Sequence, residues 1–340
     1  MSRYYIGIDT SNYTTSCALF DAESGEFLSN VKRLLCVEHG GRGLRQSDAV
    51  FAHVKNLPEV TAQALAGLSP ESLCAVGVSV SPRDAEGSYM PCFLAGEAAA
   101  STLANGVKRP LMRFSHQAGH IMAAMWSSGS PDLLSREFIA FHVSGGTTEM
   151  LLVEPEIRAE RDDHGLYGVR LGITKLGGTL DLNAGQAIDR AGVMMGLDFP
   201  CGAELEKMAL DGIREGVRFE RTGVSVKGCG CNLSGLENKV SAMLKSGADP
   251  RAAAMYTLDF VGRTLIRLTD NALEERAAEG RGRIPVLYAG GVMSCSIIKD
   301  MIKRRGYDAR FAEPRFSSDN AAGTALLSAL GTEGAGFWQS

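Results

Sequence analysis

Phe138-Ile139-Ala140-Phe141-His142-Val143 runs through Ser144-Gly145-Gly146-Thr147-Thr148 into Glu149-Met150-Leu151-Leu152-Val153. An apolar strand, a tight turn of glycine and hydroxyl residues, and a second apolar strand give the pattern of a β-hairpin. Small turn residues of this kind also leave backbone N–H groups open to an anion. The same device stands near the start of the chain. There Tyr4-Tyr5-Ile6-Gly7-Ile8-Asp9-Thr10-Ser11 passes through Asn12-Tyr13-Thr14-Thr15 into Ser16-Cys17-Ala18-Leu19-Phe20-Asp21. One copy would be a turn between strands and nothing more. Two copies, one in each half and with Asp9 expected to end the first strand, point to a duplicated nucleotide-binding architecture.

Composition agrees with a large soluble enzyme. A chain of 340 residues exceeds one ordinary core and suggests two lobes. Hydrophobic residues make up 45% and charged residues 22%, the balance of a globular protein rather than a disordered one. No apolar run reaches the roughly 18–20 residues of a membrane span. Met1-Ser2-Arg3 leads straight into a strand without the pattern of a signal peptide. The formal net charge of −4 gives no overall attraction to nucleic acid, so an RNA partner would need a local basic patch. Eight cysteines without compact, regular spacing argue against a secreted disulfide scaffold. A cytoplasmic location, with no membrane partner, is the expectation.

Periodicity predicts helices over 50–68, 94–106, 115–127, 183–196, 202–212 and 251–279. Two more are expected, one from Ser294, as its cap, to Arg304, and one beginning at Ser317-Ser318-Asp319-Asn320. Strands are expected at Ala75–Ser81, Ile284–Ala289 and Tyr307–Phe311. Strands alternating with helices indicate an α/β fold. The polar stretch 155–172 reads as a surface linker.

Ser115-His116-Gln117-Ala118-Gly119-His120 places two histidines four residues apart. On a helix they share one face, about 6 Å apart at Cβ, which suits a single metal ion. The alternative is a half-buried helix start whose histidines bond backbone groups. No glutamate lies between them in the H-E-x-x-H arrangement, so the zinc-protease signature is absent. A metal needs a further ligand; Asp319 is the candidate, and a helix N-cap is its other reading.

Taken together and in order, these segments resemble one family, that of the catalytic subunit of tRNA threonylcarbamoyladenosine synthase, also labelled glycoprotease or O-sialoglycoprotein endopeptidase. Gly7-Ile8-Asp9-Thr10-Ser11 resembles its opening phosphate strand, His116-x-x-x-His120 its metal histidines and Val143-Ser144-Gly145-Gly146 its V-S-G-G turn. Leu180-Asp181-x-x-Ala184-Gly185-x-Ala187-x-Asp189 is similar to L-D-D-A-A-G-E-A-F-D, and Gly196-Leu197-x-x-Pro200-x-Gly202 to G-L-x-Y-P-G-G. Ser234-Gly235-Leu236, Ala289-Gly290-Gly291-Val292 and Asp319-Asn320-Ala321-Ala322 match S-G-L, A-G-G-V and D-N-A-A.

The resemblance implies the actin-like ATPase superfold of actin, Hsp70 and the sugar kinases, with two α/β lobes around a nucleotide cleft. The expected lobes are 1–110, completed by 319–340, and 111–318. It implies one divalent metal, iron or zinc, on His116, His120 and Asp319, and no catalytic side chain apart from these ligands. It also implies ATP, ADP or an adenylate held by Asp9, Thr10, Ser11, Val143, Ser144, Gly145, Gly146, Thr147, Asp189, Gly202, Gly290, Gly291 and the position of Cys295. The implied activity is transfer of a threonylcarbamoyl group from an adenylate to an adenosine of tRNA. The metal would act as a Lewis acid toward the carbonyl or carboxylate, the turn amides would hold phosphate, and Asp189 would bond ribose hydroxyls. Accessory subunits are implied as partners, one of them a paralogue of the same fold, with 50–68 and 94–106 as helical contact surfaces.

The chain also departs from that family. Thr147 replaces a histidine, Gln186 a glutamate, Glu237 a lysine and Cys295 an asparagine, while Ser81-Pro82-Arg83-Asp84-Ala85-Glu86-Gly87 stands where the family has a flexible G-P-G-L loop. These changes mark a divergent paralogue. They leave open a second role, a non-catalytic nucleotide-binding protein that regulates or scaffolds the tRNA-modifying enzyme. Cys201, Cys229, Cys231 and Cys295 fall in cleft-lining segments of the family; they read as buried thiols or as a thiolate or iron–sulfur site, for which no C-x-x-C pair exists. His53 is read as structural, whereas His39-Gly40-Gly41 resembles a family loop near the cleft mouth and by itself decides nothing.

Overall fold

The computed structural model describes residues 3–11, 13–36, 44–317 and 321–338. His39 and Asp319 lie outside the described residues. The chain opens with β1 (Tyr4–Ser11), β2 (Thr14–Asp21), β3 (Glu26–Leu34) and α1 (Gln46–Ala64), followed by β4 (Leu73–Ser81), α2 (Phe93–Val107), β5 (Leu111–Ser115) and α3 (His116–Ser127). It continues through β6 (Phe138–Val143), β7 (Thr148–Arg161), β8 (Tyr167–Thr179), α4 (Ala184–Met194), α5 (Gly202–Arg214), β9 (Ser225–Lys227) and β10 (Gly230–Asn232). The last elements are α6 (Gly235–Lys245), α7 (Pro250–Ala278), β11 (Val286–Ala289), α8 (Ser296–Lys303), β12 (Ala309–Phe311) and α9 (Ala322–Glu333).

Two compact units result. One comprises Met1–Arg136, Glu154–Ile173 and Arg315–Ser340; the other comprises Glu137–Val153 and Thr174–Pro314. The first contains a sheet in the order β3-β2-β1-β4-β5, the second is built on a sheet in the order β12-β11-β6-β7-β8-β10-β9. The expected lobe boundary at 110/111 falls within the first unit, between α2 and β5. Both sheets are mixed, and each begins with one of the two quoted hairpins: β1 pairs antiparallel with β2, and β6 with β7.

In the first unit β1 is buried along nearly all its length because helices cover both faces. Ile6, Ile8, Val76 and Val78 pack beneath α1 and α2. On the opposite face a Cβ at Gly7 would stand 2.3 Å from the Ala321 carbonyl oxygen and one at Gly77 2.6 Å from that of Thr324, so α9 rests directly on strand backbone. In the second unit Ile139, Phe141, Val143, Met150 and Leu152 bury one face of the hairpin against α4, α7 and their neighbours.

Stretch 155–172 is not a linker. It forms the far halves of β7 and β8, joined at a turn where the Asp162 carboxylate accepts the His164 and Leu166 amides, each at 2.9 Å. Charged residues along both strands obscured the period of two. Helix α6 and the short pair β9–β10 were also not anticipated. Among the described residues no helix is long and apolar enough to cross a membrane.

Candidate active site

The histidine pair is made by an abrupt change from strand to helix. β5 ends at Ser115, whose side chain accepts the Ala118 amide at 3.2 Å and so caps α3. Four residues span about one turn, and the two Nε2 atoms of His116 and His120 stand 2.9 Å apart. Asp9, fully buried on β1, places Oδ1 2.9 Å from His116 Nδ1. A carboxylate only accepts, so Nδ1 of His116 carries a proton and its ring is oriented by Asp9. Across the two Nε2 atoms one ring donates to the other.

Helix α9 meets α3 at this point. A Cβ at Gly323 would lie 1.7 Å from the Gly119 carbonyl oxygen, and Gly119 stands between the two histidines. Asp319 precedes α9 by three positions but is outside the described residues. Among those residues no group of three His, Cys, Asp or Glu side chains is arranged to hold a metal.

Thr10 and Ser11 continue β1 two residues beyond Asp9 and are buried. The Thr10 hydroxyl donates to the Cys92 carbonyl at 3.0 Å and accepts the Gly96 amide at 3.2 Å, fastening the start of α2. His53 is buried too, with Nδ1 2.8 Å from the Thr15 hydroxyl; burial lowers its pKa, against the pull of Asp9.

In the second unit the turn after β6 is closed by Ser144. Its amide donates to the Thr147 carbonyl at 2.7 Å, and its hydroxyl accepts the Thr147 amide at 3.0 Å. Gly145 and Gly146 are exposed, and their amides make no hydrogen bond among the described residues. Beside this turn is a cavity of about 380 Å³ lined by Gly145, Asp189, Gly202, Glu206, Gly291 and Cys295, among others.

The glycines of this site do two different jobs. A Cβ on Gly145, Gly202 or Gly291 would meet nothing within 4 Å. One on Gly185 would lie 2.6 Å from the Gly145 amide, and one on Gly290, at φ 104°, 2.2 Å from the Val143 carbonyl. The first three leave room for a ligand; Gly185 and Gly290 let backbone meet backbone.

Asp189 Oδ1 accepts the Cys201 amide at 2.8 Å and thereby orients the start of α5. Glu206 was missed in the sequence. Its Oε1 accepts the Ser296 amide at 2.6 Å and the Ser296 hydroxyl, so Glu206, not Ser294, caps α8. The legible signal was a carboxylate one helical turn beyond Gly202. Asp181 binds two motif segments together. Burial would raise its pKa, yet the Ser234 hydroxyl and the Leu233, Leu182 and Ser234 amides bring it down to about 2.

The four cysteines form no metal-holding group among the described residues, so of the two readings the thiolate or iron–sulfur site falls and that of separate thiols stands. The Cys201 thiol points to the Asp189 carbonyl at 3.3 Å and that of Cys229 to Glu275 at 3.3 Å. Cys231 belongs to β10, and Cys295 lines the cavity. Burial holds each as a thiol, pushing Cys231 and Cys295 up to about 11 and Cys229 to about 12. The substituted charge at Glu237 has found a partner, Arg190 at 3.0 Å.

Fold and site together define an α/β protein of the actin-like ATPase fold. A solved structure of full-length HypF in its phosphate- and nucleotide-bound form shares that fold, with a TM-score of 0.51 at 10% identity over 94% of this chain and 45% of that one. The family profile for tRNA N6-adenosine threonylcarbamoyltransferase matches residues 37–326, and the chain belongs to that enzyme family. A protein of that name from Thermus thermophilus is 30% identical over 326 residues, 95% of this chain and 91% of its own. A probable bifunctional tRNA threonylcarbamoyladenosine biosynthesis protein from Thermoplasma volcanium is 29% identical over 303 residues. This chain spans about half the length of that relative, 50%.

Proposed function

We propose that the protein transfers a threonylcarbamoyl group from a threonylcarbamoyl-adenylate to the exocyclic amine of an adenosine in tRNA. The observation that carries this reading is the convergence of His116 and His120 Nε2, with Asp9 on the outer nitrogen of His116, in a chain of this family. The donor set suits a divalent metal such as iron or zinc: two imidazoles, one already oriented by a carboxylate, with Asp319 as the further ligand. When bound, such an ion would supply Lewis-acid polarisation of the threonylcarbamoyl carbonyl or carboxylate.

The other side chains fit the rest of the donor. Gly145 and Gly146 are exposed, and their amides, with no hydrogen bond among the described residues, are the donors offered to a phosphate. Asp189 and Glu206 are acceptors in the cavity, matched to ribose hydroxyls and a base amine. In the transfer, the bond from the adenosine amine to the carbamoyl carbon forms as the bond from that carbon to phosphate oxygen breaks. AMP leaves with the electron pair, and the amine gives up a proton. Amide donors on the phosphate stabilise the charge developing on this leaving group. Accessory subunits, among them a paralogue of the same fold, belong to the proposal, as does a cytoplasmic setting.

The test is metal analysis and a tRNA transfer assay on the wild type beside His116→Ala/His120→Ala. Wild type should carry about one equivalent of metal, and the double variant should lose both metal and transfer. Transfer retained by the metal-free variant would sink the mechanism.

A further inference from the structure

We propose that a cavity between α5, α7 and α8 of the second unit binds an α-amino acid with an apolar side chain. The cavity measures about 400 Å³, within the roughly 300–1,000 Å³ of small-molecule sites. Its apolar wall is made by Leu210 and Ile213 of α5, Phe219, Met255 of α7, and Ile297 and Met301 of α8. It lies wholly in the second unit and shares no lining residue with the cavity beside the Ser144–Thr147 turn.

The wall is suited to an apolar body. Leu210 and Ile213 are 39% and 52% exposed, surface that such a body would take out of water. The two methionines lie close to glycine backbone. A Cβ on Gly212 would stand 2.8 Å from the Met255 sulfur, and one on Gly262 2.8 Å from the Met301 methyl. Unbranched thioethers adapt their shape to what they enclose.

The charges select among apolar ligands. Asp259 lines the cavity, but it accepts from Arg263 Nε at 2.6 Å and pairs with Arg221 at 2.9 Å. Asp300 and Arg304 also line it, one helical turn apart along α8 and its C-terminal end, and both are exposed. Neither makes an ion pair or a side-chain hydrogen bond with a described residue. An apolar cavity edged by one unpaired carboxylate and one unpaired guanidinium is complementary to a zwitterion. The ligand ammonium meets Asp300, and its carboxylate meets the N–H fork of Arg304. In an α-amino acid both charges and the side chain leave one carbon, so all three are met at one edge of the cavity. The helix that carries the pair is anchored beforehand. Glu206 Oε1 accepts the Ser296 amide at its start at 2.6 Å, and Arg305 just past its end stands 2.8 Å from Asp270. Such anchoring lowers the ordering cost of binding.

Calorimetric titration of the full chain tests this with L-leucine and L-phenylalanine, each beside its decarboxylated amine and its deaminated acid. Wild type should bind at least one of the two amino acids saturably, and about tenfold more tightly than either truncated form, the usual effect of one charge-assisted hydrogen bond. Glycine, which lacks the apolar body, should not saturate. Asp300→Asn should bind the amino acid no better than the deaminated acid while keeping the preference over the amine. Arg304→Gln should show the mirror image, losing the preference over the amine alone. Melting temperatures of both variants should match wild type, since neither side chain has a partner in the fold. Absence of saturable binding of both amino acids, no preference over the truncated forms, or equal weakening of all three ligands in each variant would each overturn the assignment. Metal content and tRNA transfer are read separately, so their outcome bears on the transferase reading and not on this site.

Discussion

At the scale of single residues, the histidine pair was visible from its spacing, but the atom that orients it was not. Asp9 was read with the anion-binding hairpin. Its carboxylate in fact meets His116, 107 positions away in the chain. Asp9→Asn should therefore weaken metal binding about 10- to 100-fold without unfolding the protein; competition with a chelator of known affinity measures this, and unchanged affinity would refute it. His53 makes a second prediction. Burial lowers its pKa below the ordinary 6.5, so the unfolded chain binds the extra proton more readily. Its contribution is complete above about pH 6.5 and drains away as pH falls through that value toward the folded pKa. Denaturation midpoints should drop from about pH 8 to about pH 5, and His53→Gln should flatten the slope. An equal slope in the variant would exclude His53 as the cause.

At the scale of elements, the two hairpins and most helices follow from apolar period and glycine placement. Stretch 155–172 and α6 did not, because charged residues alternate along the former and the helical stripe of the latter is short. The glycines show why local pattern stops short of the site. Gly185 and Gly202 look alike in sequence, yet one presses on the Gly145 amide and the other faces open space. Gly185→Ala should cost about 1–3 kcal/mol, as overpacking does. Gly202→Ala should keep its stability and lose affinity for adenosine nucleotides. Denaturant titration and calorimetric binding of ADP separate the two; a stable Gly185→Ala or a destabilised Gly202→Ala would contradict this division.

At the scale of the whole molecule, the candidate groups fall into two sets. Asp9, His116 and His120 belong to the first compact unit; the Ser144–Thr147 turn, Asp189, Glu206 and Cys295 belong to the second. Ligands should accordingly leave different marks in amide exchange of the intact chain. ADP should slow exchange in α4, α5 and the Gly291–Ser296 segment, whereas a divalent metal should slow it in β1 and the first turn of α3. Identical protection maps for the two ligands would argue against separate sites of first contact.

By itself, the sequence determined the α/β class, the two hairpins, the histidine spacing and the family, since each rests on residues close together in the chain or on motifs in fixed order. Only the tertiary structure decided that Asp9 serves His116, that Glu206 caps α8, that Asp181 ties distant segments together and that the cysteines stay apart. The reason is physical: periodicity and turn chemistry act over a few residues, whereas hydrogen bonds between distant segments exist only once the backbone has brought them within about 3 Å.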